Sequence, residues 1–155
     1  MTSLEVHAGD PGAPDVRAVV ERHLAFARSQ TPGPYSHAVE PDDLSDPAVT
    51  VFCARAHGRL VGIAALRELD PSHGEVKSMH TVEDARGRGV GGAMVAHLLA
   101  VARQRGYRRV SLETGTGDAF APARALYAAV GFEPCSPFGD YDASPFNHFM
   151  TMELS

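Results

Sequence analysis

The chain has 155 residues, 44% of them hydrophobic, and carries a formal net charge of −5 with an isoelectric point of about 5.9. That length and apolar content suit one domain, residues 1–155, with a core that requires no metal or disulfide staple. The acidic balance lacks the basic field of a nonspecific nucleic-acid binder, and the longest apolar stretch, near residues 93–102, is interrupted by His97, which argues against a membrane span.

Residues 4–7 read as a short strand. After the turn Asp10-Pro11-Gly12-Ala13-Pro14, a helix runs to about residue 29, with Val16, Val19, Val20, Leu24 and Ala27 on one face and Glu21, Arg22 and Arg28 left for solvent. Residues 31–47 shift to Pro, Gly, Asp and Ser, which predicts a loop with room for one short helix. Residues 49–55 and 60–67 form an antiparallel hairpin around Ala56-His57-Gly58-Arg59, and residues 75–82 extend it into a meander. Val90, Met94, Leu98, Val101 and Ala102 mark the buried side of the next helix, which stops at Gly106. The strand at 109–114 is then expected to run parallel to the one before that helix. A short helix over 122–130 stops at Gly131, and strands at 132–135 and 148–154 complete the sheet. Repeats and domain linkers are absent from the sequence, so the fold class is α/β with a mixed central sheet and flanking helices.

The stretch Arg86-Gly87-Arg88-Gly89-Val90-Gly91-Gly92 stands between a strand and a helix, the setting in which free backbone N–H groups and a positive dipole end bind an anion. Read literally, Gly87-x-Gly89-x-x-Gly92 matches a dinucleotide fingerprint, with Glu113 about where a ribose-binding acid falls. Three features oppose that reading: the polar gap Glu83-Asp84-Ala85-Arg86, the preceding antiparallel meander and the shortage of βαβ units. A Walker loop is excluded because no Lys-Ser or Lys-Thr follows the glycines.

In this context Arg86-x-x-Gly89-x-Gly91 resembles the acyl-CoA pyrophosphate motif of the GNAT superfamily of N-acetyltransferases. Downstream, Ala125-Leu126-Tyr127-Ala128-Ala129-Val130-Gly131-Phe132 is similar to the Leu-Tyr…Gly-Phe segment of the same superfamily. The two motifs and their strands cover residues 75–154. Leu112-Glu113-Thr114-Gly115 followed by Pro-Phe-Gly-Asp-Tyr further resembles bacterial small-molecule members. One departure is Phe120-Ala121-Pro122, where members often carry an Asn that contacts the cofactor arm.

The resemblance implies the GNAT fold, with splayed parallel central strands, and acetyl-CoA as cosubstrate. It implies cofactor contacts from Met79 and Thr81 along the strand edge and from Arg86, Gly87, Arg88, Gly89, Val90, Gly91 and Gly92 at the pyrophosphate. The Met79 amide is the candidate oxyanion donor. Tyr127 is implied as general acid; a phenol with a reference pKa of about 10 is protonated at neutral pH. Glu75, eleven residues before Arg86, sits at the offset of the general-base glutamate of the histone-acetylating branch, and could equally be solvated or paired with Lys77. Glu113 on the facing strand is the other carboxylate candidate, and a water chain is the alternative to both. His80 also has a suitable pKa, but alternation points it opposite to Met79 and Thr81, toward core or helix packing.

The eight histidines show no zinc spacing, so no metal is expected. Pro34-Tyr35-Ser36-His37 and Phe138-Gly139-Asp140-Tyr141-Asp142 are candidate acceptor loops, with Asp140 and Asp142 suited to a cationic amine. The two cysteines, Cys53 and Cys135, form no disulfide framework, and residues 1–5 contain no targeting core, which fits a soluble cytoplasmic protein. The expected function is direct acetyl transfer from acetyl-CoA to a small amine or amino-acid-like acceptor in a ternary complex, without nucleic-acid or membrane partners and with homodimerisation typical of the type. The alternative is a noncatalytic acyl-CoA-binding or sensing module.

Overall fold

The structure is a computed structural model that describes residues 4–35 and 41–154. Among the described residues one mixed seven-stranded sheet forms, in the order β1-β2-β3-β4-β5-β7-β6. Its strands are β1 (Leu4–Ala8), β2 (Val49–Ala56), β3 (Arg59–Asp70), β4 (His73–Thr81), β5 (Arg109–Gly115), β6 (Glu133–Pro134) and β7 (Asn147–Glu153). The helices are α1 (Pro14–Gln30), α2 (Val90–Gln104) and α3 (Ala121–Val130). The fold is therefore mixed α/β, as the sequence pattern predicts.

Val16, Val19, Val20, Leu24 and Ala27 of α1 are all buried, as the apolar stripe requires. Helix α2 ends with Gly106 N–H bonded to the Arg103 carbonyl at 3.1 Å and Tyr107 N–H to the Ala102 carbonyl at 3.0 Å, a Schellman closure. The meander differs from expectation in length. β3 and β4 reach further toward each other, leaving only Pro71 and Ser72 as the turn. Asp70 replaces the lost pairing there, since its Oδ1 accepts the Ser72 N–H at 2.8 Å and the Ser72 hydroxyl at 2.9 Å. Among its described residues the 31–47 segment carries two 3₁₀ turns, Gly33–Tyr35 and Pro41–Ser45, and Leu44 anchors the second in the core at 2% exposure.

Strand alternation assigns the two faces of the sheet. Phe52 packs edge-on against His97 of α2, with ring centroids 5.1 Å apart, so Phe52 and its register partner Ala64 face α2. Ile63 pairs with His80, whose ring meets His23 of α1 at 5.1 Å, so the alternate residues face α1. Glu75, Lys77, Ser111 and Glu113 share that α1 face by register.

The β4–β5 ladder is parallel, as the helical crossover demands, but it joins only His73–Val76 to Arg109–Leu112. Beyond it β4 continues against β3 as far as Gly62↔Thr81, while β5 continues against β7 as far as Gly115↔Asn147. The two strands therefore diverge. β4 also bulges past the fork, advancing three residues from Lys77 to His80 while β3 advances two from Ala65 to Ile63. Ser78 in the bulge has a φ of 53°, a strained value for serine, and its buried hydroxyl has no hydrogen-bond partner among the described residues.

His80 takes the packing role that alternation predicts. Its Nδ1 lies 3.1 Å from Nδ1 of His23, a contact that requires one ring to donate and the other to accept. Burial holds His23 at a pKa of about 4, reinforced by repulsion from His80; burial, then Arg86 and Arg22, hold His80 at about 4 as well. Both folded values lie below the unfolded 6.5, so the unfolded chain binds more protons between pH 6.5 and 4. Stability from this pair is complete above pH 6.5 and falls as the pH drops toward 4, by a loss on the order of a few kcal/mol. Thermal melts across that window will show a smaller decline for the double variant His23→Phe/His80→Phe than for the natural chain; parallel curves would contradict the assignment.

Candidate active site

The glycine loop follows a 3₁₀ turn, Glu83–Ala85, which is pinned from below by buried Val82 and Ala85. Two charge contacts set its path. Arg59 Nη2 bridges both Asp84 oxygens at 2.6 and 2.8 Å, and Arg86 Nε donates to the Thr81 carbonyl at 3.3 Å. The glycines divide into different jobs. Gly87 and Gly89 hold φ of 77° and 82°, a region closed to most side chains, with Gly89 capping α2. Gly91 instead permits close packing, because a Cβ there would lie 2.9 Å from Leu126 Cδ2 of α3.

The first intrahelical hydrogen bond across the α2 cap runs from Ala93 N–H to the Gly89 carbonyl at 3.0 Å. Val90, Gly91 and Gly92 in the first turn therefore have no acceptor within the helix for their N–H groups. That turn contains no acidic residue, and the exposed Arg86 and Arg88 add positive charge. These features fit a bound pyrophosphate. The diverging β4 edge, on which Met79 and Thr81 are half-buried, fits an extended arm laid along it. The Thr81 carbonyl already receives Arg86, so it links the loop to the strand edge.

On the α1 face Glu75 is 1% exposed, so it is not the solvated carboxylate the sequence allowed. Its Oε2 accepts the Tyr141 hydroxyl at 2.5 Å and lies 3.5 Å from Lys77 Nζ, while Lys77 donates to the Tyr141 oxygen at 2.7 Å. Burial raises the Tyr141 hydroxyl, and the Glu75 charge raises it further. Glu113 Oε1 accepts Asn147 Nδ2 at 2.6 Å, and the Asn147 oxygen in turn accepts the Ser144 hydroxyl. Burial lifts the Glu113 carboxyl above its ordinary range; Asn147 and Lys77 oppose that shift and Glu75 adds to it.

Glu75, Lys77 and Tyr141, with Arg67, line a cavity of about 470 Å³, whereas Glu113 and Asn147 do not line it. Leu44, Val49 and Leu69 supply its apolar wall. The chain around residues 137–146 is held onto the sheet by Phe138 and Tyr141, which meet Phe149 at 5.9 and 5.7 Å. Phe138 also meets His73, 5.8 Å away, and His73 Nε2 contacts the Ser111 hydroxyl at 2.7 Å. Asp140 lines the cavity whereas Asp142 does not line it. Ser36, His37 and the Tyr35 side chain lie outside the described residues.

Tyr127 lies on α3, 5% exposed, with its ring edge-on to Phe132 at 5.7 Å. Burial raises its hydroxyl, so the phenol keeps its proton throughout the neutral range. Arg124 ties α3 to the end of β5 and the chain after it by donating to the carbonyls of Gly115 and Gly117 at 2.7 and 3.0 Å. Phe120, in the region where the resemblance leads one to look for Asn, packs on the backbone of Gly115 and meets Phe26 at 5.4 Å. Its role is apolar. Sequence reasoning missed the convergence of Tyr141 on Glu75 and of Asn147 on Glu113; Tyr141 fell within a flagged loop, but no short-range pattern aims it at a residue 66 positions away. Among the described residues no group of three or more His, Cys, Asp or Glu is arranged to hold a metal ion, and no helix is long and apolar enough to cross a membrane.

Comparison with known proteins agrees with this geometry. A model of the acetyltransferase (GNAT) family matches residues 18–132. The chain is 38% identical to the uncharacterized N-acetyltransferase YsnE of Bacillus subtilis (strain 168), over 97% of this chain and 100% of that protein. It is 40% identical to the uncharacterized N-acetyltransferase YedL of Escherichia coli (strain K12), over 91% of this chain and 89% of that protein. Its fold superposes with a TM-score of 0.72 on a GNAT family acetyltransferase from Elizabethkingia anophelis solved with acetyl-CoA bound, at 18% identity over 97% of this chain and 98% of that one.

The left-handed cap gives a direct test of the loop. Gly89→Ala forces an L-residue into φ 82°, at a cost of about 1–2 kcal/mol. Calorimetric titration with acetyl-CoA will show affinity reduced about tenfold as the loop relaxes away from this shape; unchanged affinity would remove the loop from the donor site.

Proposed function

The chain belongs to the acetyltransferase (GNAT) family, and on that premise we propose that this acetyl-CoA-dependent N-acetyltransferase acts as one domain, residues 1–155, on a small amine or amino-acid-like acceptor. The observation that carries the proposal is the divergence of β4 and β5 after Val76 and Leu112, with an anion-receptive loop after β4 and a cavity lined by buried Glu75 on the α1 face. A soluble cytoplasmic homodimer without nucleic-acid partners completes the reading.

Acetyl-CoA, when bound, supplies the acetyl group as an activated thioester. Arg86, Gly87, Arg88 and Gly89, with the amides of Val90, Gly91 and Gly92, hold its pyrophosphate, and the β4 edge at Met79 and Thr81 holds its arm. The Met79 amide faces the oxygen that gains charge. Glu75 takes the proton of the attacking amine, its carboxylate positioned by Tyr141 and Lys77. Glu113 is the second carboxylate of the site, its proton affinity raised by burial. The Tyr127 hydroxyl gives a proton to the leaving sulfur.

Direct transfer in a ternary complex is favoured by the state of the cysteines. Cys53 is fully buried, and burial raises the thiols of both Cys53 and Cys135, so neither has the low pKa of a covalent nucleophile. Thiol release from acetyl-CoA over a panel of amines and amino acids tests the activity, and intersecting initial-velocity lines are expected; parallel lines would reject direct transfer. Tyr127→Phe will lower kcat about 10²- to 10⁴-fold while acetyl-CoA still raises the Tm. Glu75→Gln will lower kcat by about 10²-fold. Full turnover in either variant would withdraw the role assigned to that residue.

A further inference from the structure

We propose that the acceptor is an α-amino acid with an apolar side chain, its carboxylate read by Arg67 and its amine presented to Glu75. This rests on the acetyl-transfer reading above and names the substrate class. Arg67 and Glu75 are register partners across the β3–β4 ladder and both line the cavity. As direct cross-strand neighbours they are natural ion-pair partners. They are not paired. One Glu75 oxygen, Oε2, is occupied by Tyr141 and Lys77, and among the described residues Arg67 has no hydrogen-bond or ion-pair partner.

A guanidinium left with all its donors beside a buried carboxylate is a receptor for a planar anion. The spacing narrows the class. Paired residues place their Cβ atoms about 4.5–5.5 Å apart, so one ligand must bring an anion and an amine to neighbouring points, as the α-carbon of an amino acid does. Leu44, Val49 and Leu69 offer the side chain an apolar wall, and about 470 Å³ accommodates even a large one. Asp43, Asp46 and Asp140, all exposed, also line the cavity. They attract the ammonium form on approach and repel an acceptor that carries a second negative charge.

The test compares amines with and without the carboxylate: L-leucine with isopentylamine, and L-phenylalanine with phenethylamine. Thiol-release kinetics are measured for the natural chain, Arg67→Met and Arg67→Lys, and binding of N-acetyl-L-phenylalanine to the protein alone is followed by calorimetry. The natural chain should favour each amino acid over its amine by about 10- to 100-fold in kcat/KM. Arg67→Met should bring that ratio close to one, through KM, and weaken N-acetyl-L-phenylalanine by a similar factor; Arg67→Lys should retain part of both. A ratio near one in the natural chain, or a preference that survives Arg67→Met, overturns the assignment. Failure to acetylate either set while acetyl-CoA still raises the Tm also overturns it and leaves donor binding standing. Absence of that Tm rise as well removes the acetyl-transfer reading beneath it.

Discussion

The parallel ladder between β4 and β5 lasts four register pairs, from His73↔Arg109 to Val76↔Leu112, and each strand then follows its other neighbour. Strand edges in mid-sheet carry unpaired N–H and C=O groups that require a partner. A fork here exposes such edges without opening the core, since Val76 and Leu112 at its base are buried. The bulge at Ser78 bends β4 where it leaves β5, and the glycine loop begins just past the end of the freed strand. The proposed donor site depends on this geometry more than on any one side chain.

On the α1 face the controlling problem is a buried carboxylate. Removing Glu75 from water carries a penalty on the order of several kcal/mol unless its oxygens are matched. Lys77 comes from the same strand, but Tyr141 comes from the chain beyond α3, which aromatic contacts to Phe149 and His73 hold in place. The site and the packing of that segment are therefore one structure. Lys77 and Tyr141 converge on one Glu75 oxygen, and its cross-strand neighbour Arg67 makes no hydrogen bond or ion pair among the described residues.

Local signals account for what was legible in the sequence. The α1 stripe, the stop at Gly106 and the crossover to β5 depend on residues a few positions apart, and each appears as its spacing predicts. The anion loop was visible because left-handed turns leave glycines behind, although only Gly87 and Gly89 have that reason and Gly91 has a packing one. Strand alternation also pointed His80 correctly toward a helix. The environments of Glu75 and Glu113 were not legible. Their partners Tyr141 and Asn147 lie 66 and 34 residues away and arrive through tertiary packing, which leaves no short-range trace. The two 3₁₀ turns in the 31–47 segment escaped for a related reason, since buried Leu44 fixes the second of them.

The close approach of Gly91 to Leu126 joins the glycine loop, the proposed pyrophosphate holder, to the helix that carries Tyr127, the very next residue. It works as a calliper. On the roles proposed above, the spacing between loop and phenol follows from how closely α2 and α3 approach, and the missing Cβ at Gly91 leaves room there for the Leu126 side chain. A larger residue at position 91 would meet the end of the Leu126 side chain, which would have to turn aside or shorten, so the two positions should vary together in evolution although neither need touch the reacting atoms.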